Sequence, residues 1–223
     1  MSANITNTKK VTLLGMLAAI AYAVIFVCHF LIPPVAGFLT LDVKDTIIAI
    51  VGFIFGPLSA ALVGVVVAAV EMVTISATGP IGLVMNILSS CCFACVAALI
   101  YKRKHTLKGA IIGLIVGCLS ATAVMLLWNF LITPIYMGVP RATVAAMLVP
   151  VFLPFNLVKG GLNMALILLL YKPVVTALRK ARLVPESHAP VEGKGKLSAG
   201  FLLFSLALLA TFVVLALVLM GIL

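Results

Sequence analysis

Long uninterrupted apolar runs, separated by short polar segments, form the dominant pattern of this chain. The longest have about 20 residues or more, the length at which an α-helix crosses the hydrocarbon core of a bilayer. They occupy residues 11–32, 57–76, 81–101, 109–133, 155–178 and 197–223. Continuous runs favour helices over the strands of a membrane barrel, in which polar and apolar residues alternate. The pattern predicts an all-α protein, a polytopic membrane bundle of six or seven helices.

A shorter apolar segment, residues 45–55, is separated from the second long run only by Gly56, and Gly56-Pro57 is a strong turn signal. One helix over residues 45–76 would be about 48 Å long, against a hydrocarbon core of roughly 30 Å. Two interpretations compete. The first is a kink within one long helix, and the second is a tight turn between a short second helix and a third helix.

The basic residues decide between these interpretations, because cytoplasmic loops of membrane proteins collect lysine and arginine. A turn at Gly56 places three basic clusters on one side of the membrane, whereas one long helix would place the first cluster opposite the other two. The clusters are Lys9 and Lys10, then Lys102, Arg103, Lys104 and Lys108, then Lys172, Arg179, Lys180 and Arg182. The charges therefore favour the turn. They predict a cytoplasmic N-terminus and outer loops near residues 33–42, 77–80 and 134–154.

Composition narrows the class of protein. With 65% hydrophobic residues, 9% charged residues and a mean hydropathy of +1.36, the chain has more apolar surface than a soluble domain of 223 residues can bury. The net charge of +10 belongs to the clusters between helices and does not indicate nucleic acid binding. We expect a six-helix membrane domain over residues 1–182, a polar cytoplasmic linker over 183–196 and an additional C-terminal transmembrane helix over 197–223.

Polar side chains within the predicted bundle are candidates for function, because ionisable and amide groups are costly in hydrocarbon. They are Asp42, Asp45, Glu71, Asn86, Asn129, Asn156, Lys159 and Asn163. On the predicted topology they all lie in the outer half of the membrane, and no matching set lines the inner half. A one-sided cluster predicts a pocket that opens outward rather than a channel. The alternative is structural: Glu71 pairs with Lys159, and the asparagines tie helices together.

Three further features bear on the pocket and on partners. Pro33 and Pro34 end the first helix, and the apolar loop 35–39 that follows either covers the pocket or lies on the membrane surface. Small residues recur every four positions on the first helix, at Gly15, Ala19 and Ala23, and on the third helix, at Ala60, Gly64 and Ala68. Such stripes let helix backbones approach closely. We expect the second stripe to pack within the bundle and the first to pack there or against a partner protein.

The sequence argues against an enzyme. It contains no GxxxxGK[ST] nucleotide-binding loop and no HExxH, and Ser89 and Ser90 have no nearby histidine base. Cys92 and Cys95 form a CxxC without a second pair, and all five cysteines fall in apolar runs, so we predict packing residues rather than a metal or redox site. We expect no catalytic residues, no metal and no cofactor. If the protein moves a solute, another protein drives it.

Several segments resemble the substrate-binding S components of energy-coupling factor (ECF) transporters, in their riboflavin-specific branch. Besides the stripe of the first helix they are FLTLDVKD (38–45), FGPLSA (55–60), TGPIGLVMN (78–86), WNFLITPIYMG (128–138) and PFNLVKGGLN (154–163). The likeness covers about residues 10–180, and the last two segments are its most specific parts. The run 197–223 has no counterpart in the usual six-helix core of that family, which leaves its role open.

The resemblance implies a binding subunit that captures riboflavin, the transported ligand, from outside and associates with a transmembrane coupling protein and two cytoplasmic ATPases. It implies that Gly15, Ala19 and Ala23 face the coupling protein. The ligand contacts that it implies are Leu39, Thr40, Leu41, Asp42, Asn86, Asn129, Asn156, Lys159 and Asn163. Phe38, Leu39, Trp128 and Tyr136 would supply stacking surface. Two alternatives stay open: an S component for thiamine, pantothenate or a folate, and a membrane scaffold protein that needs no ligand.

Overall fold

The computed structural model of the protein describes residues 7–181, 183 and 199–223. Over these residues the chain forms seven continuous helical stretches. They are α1 (Asn7–Leu31), α2 (Lys44–Phe55), α3 (Pro57–Thr74), α4 (Gly79–Lys104), α5 (Leu107–Met137), α6 (Arg141–Lys180) and α7 (Ala199–Leu219). Single π-helical turns interrupt α4 at Cys91–Cys95 and α6 at Leu148–Phe152. All except α2 are long and apolar enough to cross a membrane, which confirms the predicted all-α, multi-pass membrane bundle.

The predicted turn at Gly56 is confirmed. α2 ends at Phe55 and α3 begins at Pro57, so only Gly56 lies between them. The φ of Gly56 is +93°, a value that is favourable for glycine alone. The first position of α3 accepts Pro57, which has no N–H, because a backbone N–H at that position would have no partner within the helix. A Cβ on Gly52 would lie 3.1 Å from the Cβ of Ala60, so the two helices fold back on each other in close contact. The second small-residue stripe, on α3, is buried as predicted.

Side-chain contacts show that the basic clusters lie at one end of the bundle. Lys10 Nζ at the start of α1 is 6.0 Å from the ring centre of Phe55 at the end of α2. Phe53 packs on Tyr101 of α4 and Tyr171 of α6, whose hydroxyls are 3.0 Å apart. We call this the basic end and the opposite one the polar end. The predicted common side of the three clusters is thus confirmed for the described residues; Arg182 lies outside them.

The predicted outer loop at residues 134–154 is wrong for most of its length. α5 continues through Pro134 to Met137, Gly138 ends it in a left-handed conformation with a φ of +64°, and α6 begins at Arg141. Proline removes one backbone donor, but neighbouring helices and local π-helical adjustment satisfy the carbonyl that it frees within a membrane bundle. The other two loops connect α1 to α2 and α3 to α4, close to their predicted positions.

The predicted additional helix is present as α7, whereas the predicted linker, Leu183 apart, lies outside the described residues. α7 runs back along α6 from the basic end. Its last turns reach the polar end, where Ala216 is buried together with Val35 and Leu41 of the loop between α1 and α2. At the other end of the sequence, the small-residue stripe of α1 is exposed on the surface of the bundle. Its residues are Gly15, Ala19 and Ala23.

Candidate functional site

Two cavities of the bundle have walls that differ in chemistry. The larger, about 430 Å³, lies between α5, α6 and α7 and is lined by apolar side chains such as Leu119, Leu157 and Leu215. The smaller, about 170 Å³, lies at the polar end between the α1–α2 loop, the ends of α1, α3 and α5, the first half of α4 and the middle of α6. Only the smaller carries charged and amide side chains in its wall. It is therefore the candidate site, and we call it the polar cavity.

The polar cavity brings together most of the residues that the sequence singled out. Those that line it are Leu39, Thr40, Asp42, Asn86, Asn129, Asn156 and Lys159, together with Glu71. They come from a loop and four helices that are far apart in sequence. Leu41 and Asn163 do not line the cavity, and neither does Trp128, whereas the expected aromatic contacts Phe38 and Tyr136 do.

An ion pair joins the loop to α6. Lys159 Nζ lies 2.6 Å from Asp42 Oδ2, and the Asp42 side chain is 3% exposed. Burial tends to raise the pKa of the Asp42 carboxyl, but the ammonium groups of Lys159 and Lys44 outweigh it and hold the pKa below its usual value. The pair fixes the Lys159 ammonium at the wall of the cavity.

A second ion pair joins α2 to α3, and a hydrogen bond links it to α4. Lys44 Nζ lies 2.5 Å from Glu71 Oε2, and Glu71 Oε1 accepts a hydrogen bond of 2.7 Å from Asn86 Nδ2. The structural alternative of the sequence analysis is wrong in its pairing, because Glu71 is paired with Lys44 and Lys159 with Asp42. Sequence reasoning missed Lys44. A lysine between Asp42 and Asp45, directly before an apolar helix, was the signal that could have found it.

Two of the three asparagines that line the cavity, Asn86 and Asn156, have a side-chain carbonyl oxygen that no described residue engages. Asn86 Nδ2 is committed to Glu71, and Asn156 Nδ2 donates to the Phe152 carbonyl oxygen at 2.8 Å. Within the described residues, Oδ1 of both asparagines has no hydrogen-bond partner. In Asn129 both amide groups are engaged, with Met125 and Thr133 of its own helix. The cavity wall therefore offers two amide acceptors beside one ammonium donor, a set that suits hydroxyl, imide and carbonyl groups of a ligand.

Asn163 and Asp45 form a supporting layer behind the cavity. Asn163 Oδ1 accepts from Thr46 Oγ1 at 3.0 Å, while its Nδ2 donates to the backbone oxygens of Asp42 and Lys159. This side chain fastens the start of α2 to α6. Asp45 accepts a hydrogen bond of 2.5 Å from Ser90 of α4. These two polar groups hold helices together at the level of the cavity without facing it.

The apolar loop forms one wall of the polar cavity. Val35 and Leu39 exchange two backbone hydrogen bonds of 2.8 and 3.0 Å around a turn at Ala36 and Gly37, both with positive φ. The turn directs Phe38 onto Phe152 of α6, with ring centres 5.9 Å apart. Phe38, Leu39 and Thr40 line the cavity. Of the two interpretations of this loop, the structure supports the cover, and we call residues 33–43 the lid.

Several other lining residues escaped the sequence analysis. They are His29 of α1, Ser76 and Thr78 of the α3–α4 loop, Met85 and Ser89 of α4, Met125 of α5 and Phe155 of α6. Ser89 follows Asn86 by three positions and so shares its helix face, a spacing that could have revealed it. His29 is the only histidine within the first apolar run. The methionines and Phe155 carry no signal that separates them from packing residues.

Comparisons with known proteins agree on one family. The family model described as "ECF transporter, substrate-specific component" matches residues 9–171. The chain is 31% identical over 186 residues to "Riboflavin transporter RibU" of Staphylococcus aureus (strain TCH60), covering 79% of this chain and 96% of that protein. It is 28% identical over 193 residues to "Riboflavin transporter FmnP" of Bacillus subtilis (strain 168), covering 79% and 99% respectively.

A solved structure leads to the same family. It is described as "Structure and mechanism of the S component of a bacterial ECF transporter" and matches with a TM-score of 0.66 at 29% identity. The match covers 99% of that chain but 78% of this one. About a fifth of the present chain therefore lies outside a relative that is matched over almost its whole length.

Proposed function

Because the chain belongs to the substrate-specific components of ECF transporters, we propose that it binds riboflavin with high affinity in the polar cavity and passes it to partner subunits for ATP-driven uptake. The observation that carries the proposal is the wall of the cavity. Amide acceptors at Asn86 and Asn156 and the ammonium donor of Lys159 lie beside Phe38 and Tyr136. Riboflavin combines a flat apolar tricycle with a polar carbonyl and imide edge and a hydroxylated tail, so it needs both kinds of surface.

We further propose that the polar end faces outward and that the N-terminus is cytoplasmic. The basic end carries lysines and arginines from the start of α1, the end of α4 and the end of α6. Positive charge of this kind accumulates on the cytoplasmic side. In this orientation the lid covers the cavity from outside, so that ligand is captured from the medium and held rather than conducted through the bundle.

The proposed partners are a transmembrane coupling protein, which contacts α1, and two cytoplasmic ATPases, which supply the energy. Gly15, Ala19 and Ala23 are exposed, and a Cβ added at Gly15 would meet nothing within 4 Å. A surface of this kind admits another helix at close range. The proposed binding domain covers residues 1–182, and α7 is an addition to it, joined by a cytoplasmic linker.

Titration of the purified protein with riboflavin tests the proposed ligand. Free riboflavin is fluorescent, and we expect its fluorescence to be quenched at a stoichiometry of one when the tricycle stacks in the cavity. Thiamine, pantothenate and folate serve as controls and should not displace it. A protein that leaves riboflavin fluorescence unchanged, or that binds one of the other vitamins more tightly, contradicts the proposal. A folded protein that binds none of them favours the scaffold alternative.

A further inference from the structure

α7 is seated on α6 through a contact that only glycine allows. A Cβ placed on Gly161 would lie 2.2 Å from two carbons of the Phe212 ring and 2.5 Å from a third. The ring of Phe212 therefore lies directly on the backbone of α6. Closer to the basic end, Ser205 is fully buried, which shows that α7 is packed along its length and not only at one point.

At the polar end the same face of α7 reaches the lid. Val35 and Leu41 of the lid form one buried apolar cluster with Phe155 and Val158 of α6 and Ala216 of α7. Phe212, Leu219 and Met220 of α7 and Leu39 of the lid pack around this cluster. Leu39 and Phe155 also line the polar cavity. One layer of side chains therefore separates α7 from the place where a ligand would lie.

The polar cavity is small, so the position of the lid determines whether a ligand can enter and leave it. Small-molecule sites usually measure about 300–1,000 Å³, whereas the polar cavity measures about 170 Å³. A tricyclic ligand can enter and leave only if part of the wall moves. Two wall segments have no helical structure, the α3–α4 loop of residues 75–78 and the lid, and the lid is the longer of the two. The lid is also held to α6 by the contact of Phe38 with Phe152 and by the ion pair of Asp42 with Lys159.

We propose that α7 is a brace that holds the lid against α6 and thereby slows the release of ligand. The inference rests on the proposed function only for the identity of the ligand. The family model ends at residue 171, before α7 begins, and the solved S component matches 78% of the present chain. α7 packs on α6 and the lid, and the apolar cavity lies between α7, α6 and α5.

Phe212→Ala in the full chain tests the brace, with Phe204→Ala as its matched control. Phe204 is a phenylalanine of the same helix, so the substitution is chemically the same, but its side chain is 53% exposed. The first readout needs no ligand: hydrogen exchange of the lid amides, among them those of Val35 and Leu39. The second is the rate at which bound riboflavin is released, followed by its fluorescence. We expect Phe212→Ala to raise both rates, the release rate roughly three- to tenfold, and Phe204→Ala to match the parent protein.

Gly161→Ala provides a second, independent variant. The methyl group that this substitution adds should push Phe212 and α7 away and accelerate hydrogen exchange of the lid amides. When Gly161→Ala is combined with Phe212→Ala, the ring that the methyl group would meet is absent. The combined variant should therefore be no faster than Phe212→Ala alone. If Phe212→Ala fails to fold, judged by exchange in the α2–α3 hairpin, then Phe212→Leu replaces it and should give a smaller increase.

Equal lid exchange in Phe212→Ala, Gly161→Ala and the parent protein would overturn the brace. Release rates that do not change although lid exchange rises would also overturn it, because the lid would then not control release. A parent protein that binds no riboflavin refutes the proposed ligand instead, and the exchange measurement still decides whether α7 holds the lid.

Discussion

Lys44 and Glu71 form an ion pair inside the bundle, with 2.5 Å between Nζ and Oε2 and side chains that are only 2% and 11% exposed. Two residues earlier, Asp42 pairs with Lys159 of α6. The junction of the lid and α2 is thus tied to α3 through the positive charge of Lys44 and to α6 through the negative charge of Asp42. Each pair also touches the polar cavity, through Glu71 in one case and through Asp42 and Lys159 in the other.

Removal of one member of the Lys44–Glu71 pair should be far more costly than removal of both. Lys44→Met leaves Glu71 as an unpaired charge in a buried place, and we expect a loss of about 3–5 kcal/mol in unfolding free energy. Lys44→Met combined with Glu71→Gln removes both charges and retains an acceptor for Asn86, so most of the loss should be recovered. Thermal unfolding in detergent measures both variants. Equal losses in the single and the combined variant would contradict this interpretation of the pair.

Asn156 and Asn163 should respond differently to the same substitution. Asn156 faces the cavity and bonds only the carbonyl of its own helix, so Asn156→Ala should weaken riboflavin binding about tenfold, the value of one hydrogen bond, with little change in stability. Asn163 binds Thr46, Asp42 and Lys159 behind the cavity. Asn163→Ala should therefore lower stability by about 1–3 kcal/mol. Titration and unfolding of both variants separate the roles, and reversed results would place the ligand elsewhere.

A larger residue at Ala19 should impair uptake while leaving ligand binding intact. The side chain of Ala19 is exposed on α1 and contributes nothing to the polar cavity. Ala19→Leu should block the close approach of a partner helix. Ala123→Leu makes the same change at an exposed position of α5 and is the control. Uptake of riboflavin by whole cells and binding by the purified protein are compared; normal uptake with Ala19→Leu would exclude this face of α1 as the docking surface.

Gly56 should tolerate no side chain. Its φ of +93° and ψ of 168° lie in a region that is essentially confined to glycine, so Gly56→Ala should cost about 1–3 kcal/mol. Gly200→Ala is the control, because an added Cβ there meets nothing within 4 Å and lies in a helix. The unfolding temperatures of the two variants are compared. An equal effect would mean that the α2–α3 turn can relax to an ordinary conformation.

Labelling from outside the cell checks the orientation. Ala36 in the lid and His105 between α4 and α5 are both exposed and lie at opposite ends of the bundle. In a background in which the five native cysteines are replaced, a membrane-impermeant maleimide should label Ala36→Cys in intact cells and His105→Cys only after lysis. The reverse pattern would place the polar cavity on the cytoplasmic side and refute capture from the medium.

Features that repeat along the chain could be predicted from the sequence. The helices follow from apolar runs of membrane-spanning length, and the turn at Gly56 follows from helix length and from the side on which lysine and arginine collect. The gathering of polar side chains at one end follows from the same topology. These properties depend on how far along a helix a residue lies. That distance follows from the number of residues alone, because an α-helix rises by a fixed distance per residue.

Only the tertiary structure decided which polar groups meet. Glu71 is bound by Lys44 and not by Lys159, and Asn163 lies behind the cavity although it is on the same helix as Asn156 and Lys159. The contact of Phe212 with Gly161 likewise depends on the place that α7 takes on the bundle. Partner choice depends on the rotation of each helix about its axis and on the separation of neighbouring backbones. Both result from packing over the whole bundle, and no local pattern encodes them.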